Sequence, residues 1–503
     1  MGTKKFIIFF CWLACAMGHE FYSSTDLMAN LITKEEELVQ SFGDYIEAVE
    51  VHLLKLRSVL LVLQILKLSG RPDLEMSDPL AAYKLMRRLR EEWATIAEYT
   101  KLSPFQEYQD LLEYELQQIP GKNDLDEAAV GIIRLQEIYK LYPQNITTDH
   151  LTGTTVHLNL DQTYHLGKVA YTLGSYQHAF LWFLQCLSKI KEHKDADILK
   201  QLLFEYLGSS AYLFGNLPYE IYFTQQRVNL DPTNLEARLD LVSLKGQRSA
   251  HISNPDILTL NETSKSTYEA LCRGEAVKMK SRRKRQLTCR YSTVGGNPKL
   301  MYAPVKEEEE WDKPPFMRYH DVISETEIEH LKNCSRPRLQ RSEVNSKDSP
   351  VSFNRVSQSA GLTEEDPVVF RVIQRLSDIT GMDMESADSL EVSNYGIGGH
   401  FGPHYDTGKR DESSDGYRIA TILIYLSDVG VGGATVFPNI GASLKPQKGT
   451  AVMWYNLLQN GQVDEQSLHA GCPVFRGSKW IATKWIRERG QEFRRRCALS
   501  ETE

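Results

Sequence analysis

The chain lacks an apolar run of the ~20 residues that a membrane-spanning helix needs. Phe6–Ala16 is too short, and Val59–Leu68 is interrupted by Gln64 and Lys67. It lacks a charge excess as well. Fifty-eight Lys and Arg against 66 Asp and Glu leave a net charge of −8 over 503 residues, which gives no global argument for a nucleic-acid partner. Cysteine is sparse, 8 in all. With 42% apolar and 25% charged residues, the composition is globular and excludes large disordered tracts.

What is present begins at the N-terminus. Lys4-Lys5, the apolar run to Ala16 and the small residues Ala14, Ala16 and Gly18 predict a secretory signal peptide over residues 1–18. Cys11 and Cys15 leave with it, so six cysteines meet an oxidising compartment. Cys272 and Cys289 flank a short basic loop, Lys278–Arg285, and Cys472 and Cys497 bracket the end of the chain. These are the two expected disulfides, with Cys186 and Cys334 left free, although spacing alone does not prove connectivity. Sequons at Asn145, Asn261 and Asn333 are candidate glycosylation sites in a lumenal protein.

From Leu38 to Leu63 apolar residues recur in alternating steps of three and four, the seam of a long amphipathic helix. Thr33 with Glu36 is the candidate capping box at its start. Such a seam suits packing within one chain or between two. Helical periodicity returns at Ala81–Ala97 and Asp126–Tyr142. Residues 19–145 are therefore expected as a helical domain.

Residues 146–245 read as tetratricopeptide-like hairpins. Gly167, Ala170, Tyr171, Gly174, Tyr176 and Ala179 have the small/aromatic spacing of such a repeat, and Gly208, Ala211, Tyr212 and Gly215 repeat it. The longer offset between the copies predicts an insertion within Glu192–Lys200. Tyr164, Tyr171, Tyr206 and Tyr212 are candidates to stack on a proline-rich peptide, as aromatic grooves do; packing between helices is the other role open to them. Residues 246–313 read as a linker with local order that holds the disulfide loop.

Residues 314–503 change character. After two helical stretches, Ser324–Leu331 and Pro367–Thr380, short strand-like runs follow at Leu390–Tyr395, Arg418–Leu426, Ala434–Phe437, Thr450–Tyr455 and Lys479–Ile486, separated by glycine turns. That pattern predicts a barrel or jelly roll. His404 and Asp406 stand at strand spacing, and His469 follows. Two imidazoles and a carboxylate suit a non-haem Fe(II) with open positions. Among 13 histidines a His-x-Asp triplet is weak evidence alone. Lys479 sharpens it: strand alternation sends this lysine inward among apolar neighbours, where it requires an anion. The polar stretch Gly408–Gly416 is a candidate lid.

Asn394-Tyr395-Gly396, Pro403-His404-Tyr405-Asp406, Arg418-Ile419-Ala420-Thr421, Gly432–Pro438, Lys448–Ala451, Trp454-Tyr455-Asn456 and Gly490–Arg494 together resemble the collagen prolyl 4-hydroxylase alpha-subunit family. The resemblance implies a helical dimerisation domain, a tetratricopeptide-like peptide-binding domain and an α+β dioxygenase domain with a double-stranded β-helix core. It implies Fe(II) on His404, Asp406 and His469, and 2-oxoglutarate paired with Lys479 beside Tyr395 and Arg487. The implied reaction hydroxylates peptidyl proline in X-Pro-Gly repeats to 4-hydroxyproline, with O2 consumed, succinate and CO2 released, and L-ascorbate maintaining the iron.

It further implies protein disulfide isomerase as partner subunit in an alpha2beta2 tetramer of the endoplasmic reticulum lumen. The terminal Ser500-Glu501-Thr502-Glu503 carries no Lys-Asp-Glu-Leu retrieval signal of its own. Two positions depart from the family pattern. Arg487 stands where a histidine is usual, a position lysyl-type enzymes also fill with arginine, and Gly361 stands where tryptophan is usual. Hydroxylation of another secreted peptide, or of lysine, and a non-catalytic proline-rich-peptide adaptor are the rival readings.

Overall fold

The computed structural model describes residues 20–48, 57, 60–61, 64, 78–100, 106–147, 156–190, 196–247, 267–275, 286–342, 354–408 and 415–499. The expected signal peptide, the basic run of the Cys272–Cys289 loop, Asn261 and most of the expected lid lie outside these residues. Among the described residues no helix is long and apolar enough to cross a membrane.

The first helix, α1 (Thr25–Ala48), starts earlier than the Thr33/Glu36 signal suggests. Ser24 takes the capping role: its Oγ accepts from the amide of Leu27, leaving Thr33 exposed in mid-helix. Met28, Leu31, Leu38, Phe42 and Ile46 form its buried stripe, with Phe42 edge-on to Trp93 at 6.1 Å. This half of the seam therefore packs within the chain; most of the remainder lies outside the described residues. α2 (Pro79–Thr100), α3 (Gln106–Leu116), α4 (Lys122–Tyr139) and the short α5 (Pro143–Thr147) complete the helical region.

The tetratricopeptide-like region follows as α6 (Leu160–Thr172), α7 (Tyr176–Lys189), α8 (Ala196–Leu213), α9 (Leu217–Leu230) and α10 (Leu235–Gln247). Asn159 and Gln162 close a capping box on α6, and Asn216 caps α9. A Cβ on Gly167 would lie 2.8 Å from the Phe183 ring, so α6 and α7 approach only because this residue has no side chain. The expected insertion falls partly on residues 191–195, outside the description, and α8 is helical from Ala196 onward.

After α11 (Thr267–Cys272) the chain turns to β-structure. Its strands are β1 (Cys289–Ser292), β2 (Val305–Asp312), β3 (Pro315–His320), β4 (Gln340–Arg341), β5 (Gln358–Leu362), β6 (Leu390–Asn394), β7 (Phe401–His404), β8 (Arg418–Tyr425), β9 (Val431–Gly432), β10 (Thr435–Phe437), β11 (Ala442–Leu444), β12 (Ala451–Tyr455), β13 (His469–Gly471), β14 (Val474–Arg476) and β15 (Trp480–Arg487). A nine-stranded sheet runs β1-β2-β3-β12-β8-β15-β6-β5-β4, and a four-stranded sheet runs β11-β10-β13-β7. Together they form the jelly-roll core. Two helices, α12 (Glu325–Ser335) and α13 (Pro367–Thr380), share an apolar cluster with the larger sheet, Val369, Val372 and Leu376 being buried with Val392, Ile422 and Ala482.

The local order expected within residues 246–313 includes β1 and β2, which extend the nine-stranded sheet back to Cys289. The expected disulfides need correction. Neither Cys272–Cys289 nor Cys472–Cys497 forms: the disulfide joins Cys272 to Cys472, Cα atoms 5.5 Å apart. The physical reason is the same in both cases. β1 carries Cys289 to the exposed edge of the sheet, whereas α11 buries Cys272 against Val436, Ala470 and Cys472. Cys289 and Cys497 are exposed thiols, and Cys186 and Cys334 are unbridged as expected.

Candidate active site

The site lies between the two sheets. β7 and β13 are antiparallel neighbours, and His404 and His469 face each other directly across the pair. Their rings are 4.2 Å apart between centroids. Asp406 follows the end of β7 instead of continuing it, so the strand spacing inferred for the His-x-Asp triplet does not extend that far. Even so, its two carboxylate oxygens lie 3.4 Å from His404 Nε2 and 3.4 Å from His469 Nε2.

Both tautomers are set by the backbone. His404 Nδ1 donates to the Gly402 carbonyl at 2.8 Å and His469 Nδ1 donates to the Ser467 carbonyl at 3.0 Å. A proton held on Nδ1 leaves the Nε2 lone pairs directed at Asp406, the arrangement that metal-binding histidines use. Phe401 stacks on His404 at 3.5 Å, and Trp454 meets His469 edge-on at 4.8 Å, which fixes the ring planes. Asp406 is oriented in turn: Thr421 Oγ1 donates to Oδ2 at 2.8 Å, and Asn456 Nδ2 donates to that hydroxyl at 2.9 Å. Burial, helped by His469, lowers the pKa of His404. Two imidazoles and one carboxylate form a donor set that fits a divalent Fe(II) with open positions.

Lys479 immediately precedes β15 and is 1% exposed. Its Nζ lies 5.0 Å from the centre of the Tyr395 ring. No carboxylate among the described residues offsets its burial, and burial alone pulls its pKa down to about 7. A lysine placed so lacks only an anion. Burial pushes the Tyr395 hydroxyl up to about 12, so it remains a protonated donor. The narrow cavity, about 40 Å³, is lined by His404, Asp406, His469, Lys479, Tyr395 and, among others, Arg355.

Arg487 does not line this cavity. The β8–β15 register shifts at Ile486/Arg487, and its guanidinium donates to Asp388 at 2.6 Å and to the Gly416 carbonyl at 3.1 Å. Gly361 lies on β5, where a Cβ would come within 3.2 Å of Ser389 Oγ. Of the four tyrosines, Tyr164, Tyr171 and Tyr206 come together: Tyr206 stacks on Phe183 at 4.9 Å, with Tyr171 edge-on to it at 5.4 Å and Tyr164 at 6.1 Å. Tyr212 stands apart and is 60% exposed. Asn145 uses its side chain to accept from the Tyr142 amide. Asn333 is exposed on α12 and accepts from Arg336.

Thr421 and Asn456 belong to stretches that carry the family resemblance, but nothing in the sequence gives them, Arg355 or the N-terminus a role at the site. Asn394 Oδ1 accepts from Ser24 Oγ, Thr25 Oγ1 and the Asp26 amide. Its Nδ2 donates to the Lys479 carbonyl. A Cβ on Gly396 would fall 1.9 Å from the Tyr22 carbonyl oxygen. The first described residues are thus built into the wall that carries Lys479. No local signal marks a contact across that sequence distance.

The chain matches the prolyl 4-hydroxylase alpha-subunit N-terminal region over residues 24–153, the prolyl 4-hydroxylase peptide-substrate-binding domain over 160–243 and the 2OG-Fe(II) oxygenase superfamily over 390–487. It is 39% identical to prolyl 4-hydroxylase subunit alpha-1 of Rattus norvegicus, covering 97% of each chain. To the Homo sapiens alpha-1 subunit it is 38% identical, covering 96% of each. To the Caenorhabditis elegans alpha-2 subunit it is 31% identical, covering 98% of this chain and 96% of the relative. The crystal structure of a viral collagen prolyl hydroxylase from Paramecium Bursaria Chlorella virus-1, a 2OG complex, is 26% identical and covers 34% of this chain and 95% of its own, with a TM-score of 0.29. The chain is a 2OG-Fe(II) dioxygenase and belongs to the prolyl 4-hydroxylase alpha-subunit family.

Proposed function

We propose that this chain is the catalytic subunit that hydroxylates prolines of collagen-like X-Pro-Gly chains to 4-hydroxyproline. The observation that carries the reading is the convergence of two Nε2 lone pairs and the Asp406 carboxylate in the same cavity as the buried Lys479. His404, Asp406 and His469 would hold Fe(II), and Lys479 would pair with the distal carboxylate of 2-oxoglutarate, with the Tyr395 hydroxyl as a donor nearby. Iron and 2-oxoglutarate, when bound, supply an oxygen atom from O2 to a substrate carbon, with succinate and CO2 released. The protein's part is binding and orientation. Thr421 and Asn456 keep the carboxylate in place, the carbonyls of Gly402 and Ser467 hold a proton on each Nδ1 so that Nε2 can face a metal, and the buried wall excludes bulk water.

The aromatic cluster of Tyr164, Tyr171 and Tyr206 supports a proline-rich substrate, since flat rings and proline rings pack well in extended peptide recognition. A substrate lysine is disfavoured by charge: Glu391, the other carboxylate of the cavity, already pairs with Arg355 at 2.5 Å. L-Ascorbate as reductant, protein disulfide isomerase as partner subunit and the endoplasmic reticulum lumen as location belong to the same reading, supported by family membership. Incubating the full chain, assembled with that partner, with (Pro-Pro-Gly)n, Fe(II), ascorbate and labelled 2-oxoglutarate should yield 4-hydroxyproline and succinate in equal amounts. Succinate release with no hydroxyproline in any proline-rich peptide would sink the proposal.

A further inference from the structure

A second group of metal-ligating side chains lies outside the cavity, on the helical layer of the same domain. His330 and Cys334 are one turn apart on α12 and share a face. Asp366 is the N-cap of α13. His330 Nε2 is 2.8 Å from Asp366 Oδ2, Cys334 Sγ is 3.4 Å from His330 Nε2, and Cys334 Sγ is 3.9 Å from Asp366 Oδ2. We propose that His330, Cys334 and Asp366 form a zinc site that braces α12 against α13.

The separations carry the argument. Zinc bonds of about 2.0–2.1 Å to nitrogen or oxygen and about 2.3 Å to thiolate set the edges of a tetrahedron at about 3.3 Å between the light donors and about 3.6 Å from each to sulfur. The observed 2.8, 3.4 and 3.9 Å lie within about half an ångström of those edges. One imidazole, one thiolate and one carboxylate form a mixed donor set that zinc accepts, and the thiolate disfavours hard magnesium and calcium. The carboxylate is already aimed. Asp366 Oδ1 is held by the amides of Val368 and Val369 at 2.8 and 3.1 Å, which leaves Oδ2 for the ion. His330 retains 39% and Asp366 30% of its side-chain exposure, so water can fill the fourth position. Binding expels the thiol proton, and affinity therefore rises with pH.

The position gives the site a purpose. Near its start α12 is tied to α13 by the bidentate Arg375–Glu327 pair at 2.9 and 3.0 Å. The triad joins the second half of α12 to the N-cap of α13, so the ion would fasten the opposite end of α12 from the Arg375–Glu327 pair. Both helices pack on the sheet that carries β8 and β15, and the brace stiffens the outer wall of the catalytic core.

The experiment is a Co(II) titration of the metal-stripped full-length enzyme, read as thiolate-to-cobalt charge-transfer absorption in the near ultraviolet. The inner site contains no sulfur and cannot produce that band. The wild-type minus Cys334→Ser difference should show one band that saturates at an amplitude of one thiolate-bound cobalt per chain, once the inner site is also filled, and is displaced by Zn(II). His404→Ala should retain it, and His330→Ala should weaken cobalt binding at least tenfold. Prolyl hydroxylation by Cys334→Ser, measured alongside, shows that the variant is folded. A folded Cys334→Ser protein with an unchanged spectrum, or a wild type with no band, would overturn the site and leave the triad a hydrogen-bonded cluster.

Discussion

His404, Asp406 and His469 converge where two sheets face each other, whereas His330, Cys334 and Asp366 meet where two helices cross the outside of the larger sheet. The donors are similar in kind; the surroundings differ. In the inner triad each imidazole is held by a backbone carbonyl and the carboxylate by Thr421 and Asn456, and Asp406 and His469 are 6% and 4% exposed. In the outer triad the carboxylate alone is oriented from behind, by the amides of its own helix. A buried donor set that has lost its water needs its ion, while a half-exposed one tolerates being empty. The inner site is therefore where chemistry depends on a metal, and the outer site is where a metal adds rigidity.

The largest effect that tests this contrast is His404→Ala. It should abolish 2-oxoglutarate turnover, measured as succinate release, while peptide binding by the helical half persists in a direct titration. A variant retaining wild-type turnover would remove the inner triad from the mechanism.

Next comes Lys479→Met, which should raise the KM for 2-oxoglutarate by about 10–100-fold, the value of a charge-assisted bond of about 1.5–3 kcal/mol. The pH dependence has a definite sign. Burial lowers the Lys479 pKa to about 7, so the amine is charged below that pH and loses its proton as pH rises. The 2-oxoglutarate KM of the wild type should climb above about pH 7, by at most about tenfold per pH unit, and this climb should vanish in Lys479→Met. Identical profiles for the two proteins would mean that the lysine does not hold the anion.

Thr421→Val probes the support behind the inner carboxylate. Loss of a partner of this kind typically weakens metal binding about 10–100-fold, so the Fe(II) concentration needed for half-maximal turnover should rise within that range. In contrast, removing a ligand of the outer triad with Cys334→Ser should leave turnover within about twofold, since that residue is remote from the cavity lining.

Legibility in the sequence followed the same division. His404, Asp406 and His469 are legible only together with Lys479, whose inward place among apolar neighbours requires an anion, and β6, β8, β10, β12 and β15 could be anticipated from alternation and glycine turns. Thr421 and Asn456 could not, because a threonine and an asparagine beside core strands read as ordinary satisfied polar groups. The outer triad combines a helical i, i+4 pair with a helix cap from a different element, a juxtaposition no linear pattern encodes. Cys272 was paired with its sequence neighbour, although insertion of β1 carries Cys289 away and the true partner, Cys472, arrives from the far end of the barrel. The clasp of Ser24 and Thr25 on Asn394 is invisible for the same reason. Short-range rules also misled locally: Thr33 and Glu36 match a capping box, but Ser24 provides an earlier start.

Arg487 is where the sequence expectation and the geometry part most clearly. The resemblance assigned it to 2-oxoglutarate, yet its guanidinium is engaged by Asp388 and the Gly416 carbonyl, and Asp388 is shared with Arg418 at 2.6 Å. Arg487→Ala should therefore lower stability, since it removes one of the two guanidinium partners of the mostly buried Asp388, and change the 2-oxoglutarate KM by less than about threefold. Arg487→His should behave alike. A KM increase matching that of Lys479→Met would mean that the anion pocket extends past the register shift at the end of β15. The contrast between a lysine without a carboxylate partner and an arginine already paired would then fail as a guide to which cation holds the co-substrate.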